Sequence, residues 1–166
     1  MNPGWIGALI GLVSLSLAIT FFLLGRRARL KGPVWAARSN NLVRGFASTL
    51  PDLEILFRRE RVDTLTVTRI AFWNRGVATI DQNDIAPADP LRIASVGDSR
   101  LLDVKLVQVS GEPSRFESVL SADGKAAHLR FDFLDRDQGA VVQVVHTGAS
   151  GADVTVAGTI KGAGAP

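Results

Sequence analysis

Few residues in this chain could do chemistry, and they are scattered. His128 and His146 are its two imidazoles, and it has no cysteine. A catalytic zinc generally takes three protein ligands, and these two histidines fall on separate β-type stretches with no third partner in view. His128 alternates with Ala127 and Leu129 and reads as a solvated strand residue. His146 reads as a strand-end residue before the turn at Gly148. Asp135-Arg136-Asp137-Gln138-Gly139 opens like a D-x-D-x-G calcium loop. The later ligands, including the bidentate glutamate at the twelfth position, are missing, so it reads as an acidic β-turn. Gly148-Ala149-Ser150-Gly151 is not the G-x-S-x-G elbow of a nucleophilic serine, and no phosphate-cradling glycine motif occurs. Arg58, Arg59, Arg61, Arg69 and Arg75 could form a basic patch, but Glu60 and Asp63 interrupt it. Solvated turns are the simpler reading. These residues predict no catalytic site, no metal and no cofactor.

The element that must position everything else lies at the start. Gly4 to Gly25 is 22 residues without a charge, and in a helix it reaches about 33 Å, enough for a hydrocarbon core of about 30 Å. Arg26, Arg27, Arg29 and Lys31 follow at once. The pattern predicts a transmembrane helix over 1–25 and a basic juxtamembrane linker over 26–32, with those four side chains in contact with membrane lipids. A secretory signal would carry its positive charge before a shorter apolar core, and here the charge comes after a longer one. Basic residues near a span stay cytoplasmic. The N-terminus is therefore expected outside and the rest inside, in an inner (plasma) membrane. Gly7, Gly11, Ser14 and Ala18 lie on one helical stripe, where small side chains let helices approach closely. That predicts a homodimer or a membrane-protein partner through the helix.

The formal charge of +3 hides a division. Residues 26–50 hold six basic residues and no acid, which leaves 13 basic and 16 acidic residues in 51–166. The folded unit is thus mildly acidic, which argues against nucleic acid as a partner.

That unit reads as β throughout. Val34–Val43 is a weak first strand with a bend at Ser39-Asn40-Asn41, and Leu53, Ile55 and Phe57 alternate as in a half-buried strand. In Val62–Asn74, Leu65 and Val67 form one face against Thr64, Thr66 and Thr68. Ile70, Phe72 and Asn74 then continue the series with reversed parity, which predicts a β-bulge near Arg69 or a strand covered on both faces. Trp73 reads as a core anchor. Short strands are expected at Val77–Ile80 and Leu91–Ala94, with a longer one at Leu101–Val109. Asp123-Gly124 signals a hairpin, whose return strand points Ala127, Leu129, Phe131 and Phe133 inward. Gly139–His146 is apolar on both faces, as a central strand would be. About eight to ten strands over 33–162, followed by a disordered tail at 163–166, predict an all-β, immunoglobulin/fibronectin-like β-sandwich behind one N-terminal transmembrane helix. A small barrel is the alternative.

Leu53-x-Ile55-x-Phe57, Val62-x-x-Leu65, Ile70-x-x-Trp73-Asn74-x-Gly76, Asp84-Ile85 and Pro90-Leu91-x-Ile93 resemble a pattern in uncharacterised prokaryotic single-pass membrane proteins. The resemblance runs from about Pro33 to Gly162 and implies an immunoglobulin-like domain behind one membrane helix, with no activity attached. The expected function is a non-enzymatic interaction module at the inner face of the membrane, its β domain meeting a protein partner of unknown identity. The alternative is a tethered ligand sensor that couples the β domain to helix association.

If the small-residue stripe is a packing face, Gly11→Ile should abolish self-association in a membrane two-hybrid assay while Leu12→Ile on the far side leaves it intact. Equal signals from both variants would remove the helix–helix contact.

Overall fold

The computed structural model describes residues 4–27, 30–44, 54–111 and 114–166, with the side chains of the N-terminal helix described from Leu9. That helix, α1, runs Gly4–Arg27. Its described side chains cover Leu9–Leu23 and Gly25, and among the described residues no helix is long and apolar enough to cross a membrane. The chain then forms β1 (Pro33–Arg44), β2 (Leu56–Phe57), β3 (Glu60–Arg61), β4 (Thr64–Asn74), β5 (Ile80–Asp81) and β6 (Arg92–Ser95). These are followed by β7 (Leu101–Val109), β8 (Glu117–Leu120), β9 (Ala126–Arg130), β10 (Phe133–Leu134), β11 (Gly139–His146) and β12 (Val154–Ala157).

Eight of these strands build two four-stranded antiparallel sheets, ordered β1-β4-β11-β7 and β12-β6-β9-β8. The other four make two-residue ladders, β2 with β3 and β5 with β10. One apolar core lies between the sheets. Ile70, Phe72, Val142 and Val144 come from the first, and Ile93, Ala127, Leu129, Val154 and Val156 from the second. Phe131 joins them, its ring 6.3 Å from Phe72 and 5.6 Å from Phe116. The ladders stay separate and each sheet keeps open edges, consistent with a β-sandwich and not with the closed barrel kept as the alternative. The pairing is nested. The β8–β9 hairpin lies in one sheet, β7 and β11 pair outside it in the other, and β6 and β12 pair outside that in the first again.

Local chemistry explains the elements. β8 and β9 turn at Asp123-Gly124, where Gly124 takes φ +66° and the Asp123 carboxylate accepts from the Ser121 hydroxyl and the Lys125 amide. β11 is central, flanked by β4 and β7, and buries Ala140, Val142, Val144 and His146. β1 is an edge strand, which is where a leading Pro33 without an amide donor is tolerated.

Several expectations are corrected. β1 does not bend at Ser39-Asn40-Asn41; it pairs with β4 from Pro33 to Arg44, and the irregularity falls between Asn41 and Val43. β4 has neither a bulge near Arg69 nor a change of parity. Thr66, Thr68, Ile70, Phe72 and Asn74 all face the interior, so Leu65 and Val67 take the outer face. Leucine and valine yield the inner positions because the threonine hydroxyls have buried partners. Trp73 consequently sits half-buried on the outer face, while Trp35 packs against the core. Of the Leu53–Phe57 alternation, Leu56 and Phe57 form a strand, and Leu53 lies outside the described residues. Only Ile80 of Val77–Ile80 is in a strand. The inward series on β9 ends with Phe131; Phe133 belongs to β10, where Leu134 is the fully buried residue. The final residues are not a free tail, since Ile160 and Gly164 exchange backbone hydrogen bonds of 2.8 Å and Ala163 packs on the core.

The junction after α1 is fixed by one side chain. Asn74 is fully buried and all its polar capacity is used. Its Oδ1 accepts from the amides of Gly32 (3.1 Å) and Gly76 (2.9 Å), and its Nδ2 donates to the carbonyls of Ala78 (2.8 Å) and Leu134 (3.0 Å). Around it the Leu30 carbonyl accepts from Val77 and Ala78, and the Gly32 carbonyl accepts from Arg75. The two backbones lie so close that a Cβ on Gly76 would stand 2.4 Å from the nitrogen of Gly32. Only glycine permits that approach. Lys31 adds an ion pair, its Nζ 2.5 Å from the Asp84 carboxylate.

Asn74→Ala strands two amides and two carbonyls and should cost about 3 kcal/mol. Asn74→Asp, which sets a carboxylate oxygen against two carbonyls, should do no better. Denaturant unfolding of the full chain, followed by tryptophan fluorescence, measures both. A change below about 0.5 kcal/mol, normal for a surface site, would refute this role.

Candidate functional site

The interior face of β4 and its neighbours carries a buried polar cluster. The register places Ser39 of β1 beside Thr68, Asn41 beside Thr66, and His146 of β11 opposite Thr66. Ser39 Oγ and Thr68 Oγ1 are 2.8 Å apart, and Thr68 Oγ1 lies 2.8 Å from His146 Nε2. Asn41 Nδ2 donates to Thr66 Oγ1 (2.7 Å), whose hydroxyl donates to the Gly148 carbonyl (2.6 Å). The chain from exposed Ser39 to fully buried His146 resembles a nucleophile backed by a base.

The remaining hydrogen bond rules that out. His146 Nδ1 accepts from the backbone amide of Gly148 at 3.1 Å. A backbone amide is a donor only, so Nδ1 must carry the lone pair and Nε2 the proton. Nε2–H therefore donates to Thr68, and no lone pair remains to draw a proton from that hydroxyl. Protonating Nδ1 would set two N–H groups head to head. Burial lowers the His146 pKa below its ordinary 6.5, and the negative charge of Asp153 only partly offsets this. Asp153 itself is committed to the next turn, accepting from the Ser150 amide at 2.8 Å. The imidazole is thus a neutral bracket between β11, β4 and the turn after β11.

The remaining candidates separate in space. His128 lies on the outer face of the second sheet, opposite Arg92 of β6 and Val119 of β8. Asp135 accepts from the Thr79 hydroxyl (2.6 Å), and the amide and side chain of Gln138 bond back to Asp135. Asp137 adopts φ +62°, and its carboxylate meets Arg136. The segment is a closed turn into β11, and among the described residues no three His, Cys, Asp or Glu side chains gather as a metal set would require. Ser150 caps the short turn at 151–153 by accepting from Ala152. The five arginines do not form one patch: Arg58 pairs with Asp103 and Arg61 with Glu54, while Arg69 and Arg75 lie on β4 and just beyond it.

A different basic feature replaces that patch. Across the outer face of the first sheet, Arg38 lies opposite Arg69, Arg69 opposite Gln143, and Gln143 opposite Lys105. One row thus crosses all four strands. Arg38, Arg69 and Lys105 are exposed, and among the described residues none has a carboxylate within 4 Å. The nearby Asp103 is taken by Arg58. The register that aligns these residues is set by strands far apart in sequence, so no local motif displays it.

Of the residues expected to meet lipid, Arg26 and Arg27 end α1 and Arg29 lies outside the described residues. Lys31 is corrected. Its ammonium is directed to Asp84, with each side chain 19% exposed. Burial alone would raise the Asp84 pKa, but Lys31, the Asp81 amide and the charge of Lys161 together lower it. On α1 the backbone of Gly7 is helical, and Gly11, Ser14 and Ala18 are exposed along its length.

Because the folded-state pKa of His146 lies below 6.5, its contribution to stability is complete above pH 6.5. It is lost as the pH falls from there to the folded-state value, the range in which the unfolded chain binds the proton and the folded one does not. Unfolding curves at stepped pH should show this fall, and His146→Gln should flatten it. An unchanged slope in the variant would assign it elsewhere.

No family model, curated protein or solved structure matches the chain, so the reading of these sites rests on their geometry.

Proposed function

We propose that the chain is a single-pass, membrane-anchored and non-enzymatic interaction module, its β-sandwich held at the inner face of the membrane. The cationic row carries this reading. Like charges set opposite one another across a ladder cost stability, and among the described residues Arg38, Arg69 and Lys105 have no acidic partner. An acidic protein surface would supply one. α1 supports the anchor: Leu12, Val13, Leu15, Phe21 and Phe22 expose apolar surface around its circumference, and Ser16 and Thr20 return their hydroxyls to the helix's own carbonyls. A helix apolar on every side is at home in lipid or a protein interior. Arg26, Arg27 and Arg29 would meet the headgroups. The expected immunoglobulin- or fibronectin-like fold is carried forward in its two-layer form. The nested strand order favours a jelly-roll arrangement within it.

The second reading, a sensor coupled to the helix, is favoured by the junction. Leu30, Lys31 and Gly32 are bonded to the domain, so a change near Asp84 reaches the segment that leads back to the helix.

Two measurements test the module. A C-terminal fluorescent fusion should be bright and a periplasmic phosphatase fusion inactive; the reverse pair would overturn the orientation. Photo-crosslinking from Asn40 in native membranes should trap a product that the triple variant Arg38→Glu, Arg69→Glu, Lys105→Glu loses. A product kept by that variant would detach the function from the row.

A further inference from the structure

The second sheet opens into a cleft at one end. β6 and β9 pair as far as Arg92 and His128, and the Leu129 amide still donates to the Leu91 carbonyl. The next residue outward is Pro90, which has no amide to continue the ladder, and Pro87 follows within the same turn. The chain therefore leaves the sheet and returns only where the Gln82 amide donates to the Asp132 carbonyl at 2.9 Å. Between these fastenings the 82–90 loop stands away from β9 and encloses about 550 Å³, a volume typical of small-ligand sites.

The walls are already fixed. On its far side the loop is bonded to the end of the chain, by Ala86 N to the Thr159 carbonyl, Lys161 N to the Asp84 carbonyl and Thr159 N to the Asp89 carbonyl. Lys161 Nζ donates to the Asn83 carbonyl at 2.8 Å, which holds the ammonium at the rim.

The lining has a consistent polarity. Ile85, Pro87 and Pro90 offer apolar surface, His128, Arg130 and Lys161 stand around it, and no carboxylate lines it. The acids beside it have partners, Asp132 at the second fastening lying 3.7 Å from Arg115. Asp89 is held by Arg92 and the Thr159 hydroxyl, and Asp84 stands between Lys31 and Lys161, one negative charge against two positive. Glu117 lies opposite Arg130 in the β8–β9 ladder, but no carboxylate among the described residues is within 4 Å of that guanidinium.

We propose that this cleft binds a small organic anion, a phosphate or carboxylate group on an apolar body. Arg130 and His128 take the anionic group from β9, Lys161 closes on it from the opposite wall, and Ile85 and the two prolines cover the body. The site does not depend on α1 crossing a membrane. If the anchor is real, the wall it would press on is the one that Asp84 ties to Lys31.

The chain's two histidines make the test direct. Imidazole ring signals of the full chain in a neutral maltoside detergent are followed while 1-naphthyl phosphate, 1-naphthol or inorganic phosphate is added. The His128 signals should move to saturation with naphthyl phosphate in the range of about 0.1–1 mM, and at least about tenfold more weakly with the other two. Buried His146 should stay still and report an intact fold. Arg130→Gln should weaken binding about tenfold, and Arg130→Lys should recover part of it. Arg69→Gln, which removes the same charge from the other sheet, should leave it unchanged. A short-chain phosphatidic acid that binds more tightly than naphthyl phosphate assigns the anion to a lipid headgroup, and weaker binding assigns it to a soluble compound. A His128 signal unmoved at about 10 mM, far weaker than micromolar recognition, would overturn the proposal. So would equal binding of naphthol, or equal losses from Arg130→Gln and Arg69→Gln.

Discussion

The amide of Asn74 ties Gly32, on the segment between α1 and β1, into the folded unit. A carboxamide has two donors and a carbonyl acceptor, and here all are spent inside the protein on four backbone groups from three stretches of chain. Buried polar groups of this kind leave little room for alternatives, because each unmade bond in a low-dielectric interior costs about as much as a good packing contact gains. Asn74 also ends β4, the strand that β1 and β11 both need. The start of β1, the turn into β11 and Gly32 just before β1 are thus set in one place.

The two faces of the first sheet divide the work. Inside, hydroxyls and a neutral imidazole close on one another and leave nothing for substrate chemistry. Outside, the guanidinium and ammonium groups of the row have no such closure, and their charge is available to another molecule. The cleft on the second sheet repeats the second situation on a smaller scale, with walls fixed by backbone bonds. The function proposed for this fold therefore rests on charge held in place by ladders, and the titratable groups most reminiscent of catalysis are the least available.

How much of this the sequence displays depends on the range of the interaction. β7 and β11 are legible to the residue, and the β8–β9 turn is legible from Asp123-Gly124, because their alternation and turn chemistry are local. The inner face of β4 was not. Thr66 and Thr68 resemble a solvent face until His146, Ser39 and Asn41 are brought to them, and only then does one parity suffice for the whole strand. A single constraint pointed there, since a strand without a bulge cannot change faces between Thr68 and Ile70. Asn74 shows no local sign of its role for the same reason, as its four partners come from 32, 76, 78 and 134. The cationic row and the cleft are properties of register and of a peeling loop, and neither leaves a motif.

The nested strand order has a consequence for how the protein is made. The β8–β9 hairpin closes over a few residues, but β4 must wait for β11, whose residues leave the ribosome some seventy positions later. Pairing of this range is slow because loop-closure entropy is spent before the contacts repay it. Until then β1 and β4 have only each other to pair with, and a two-stranded ribbon with an apolar face uncovered is marginal in water. The hydroxyls of Thr66 and Thr68 keep that waiting face partly wettable, and Arg38 and Arg69 keep its reverse charged. The polar residues buried in the finished core would then also serve the nascent chain, as a guard against sticking to its neighbours before the last strands arrive.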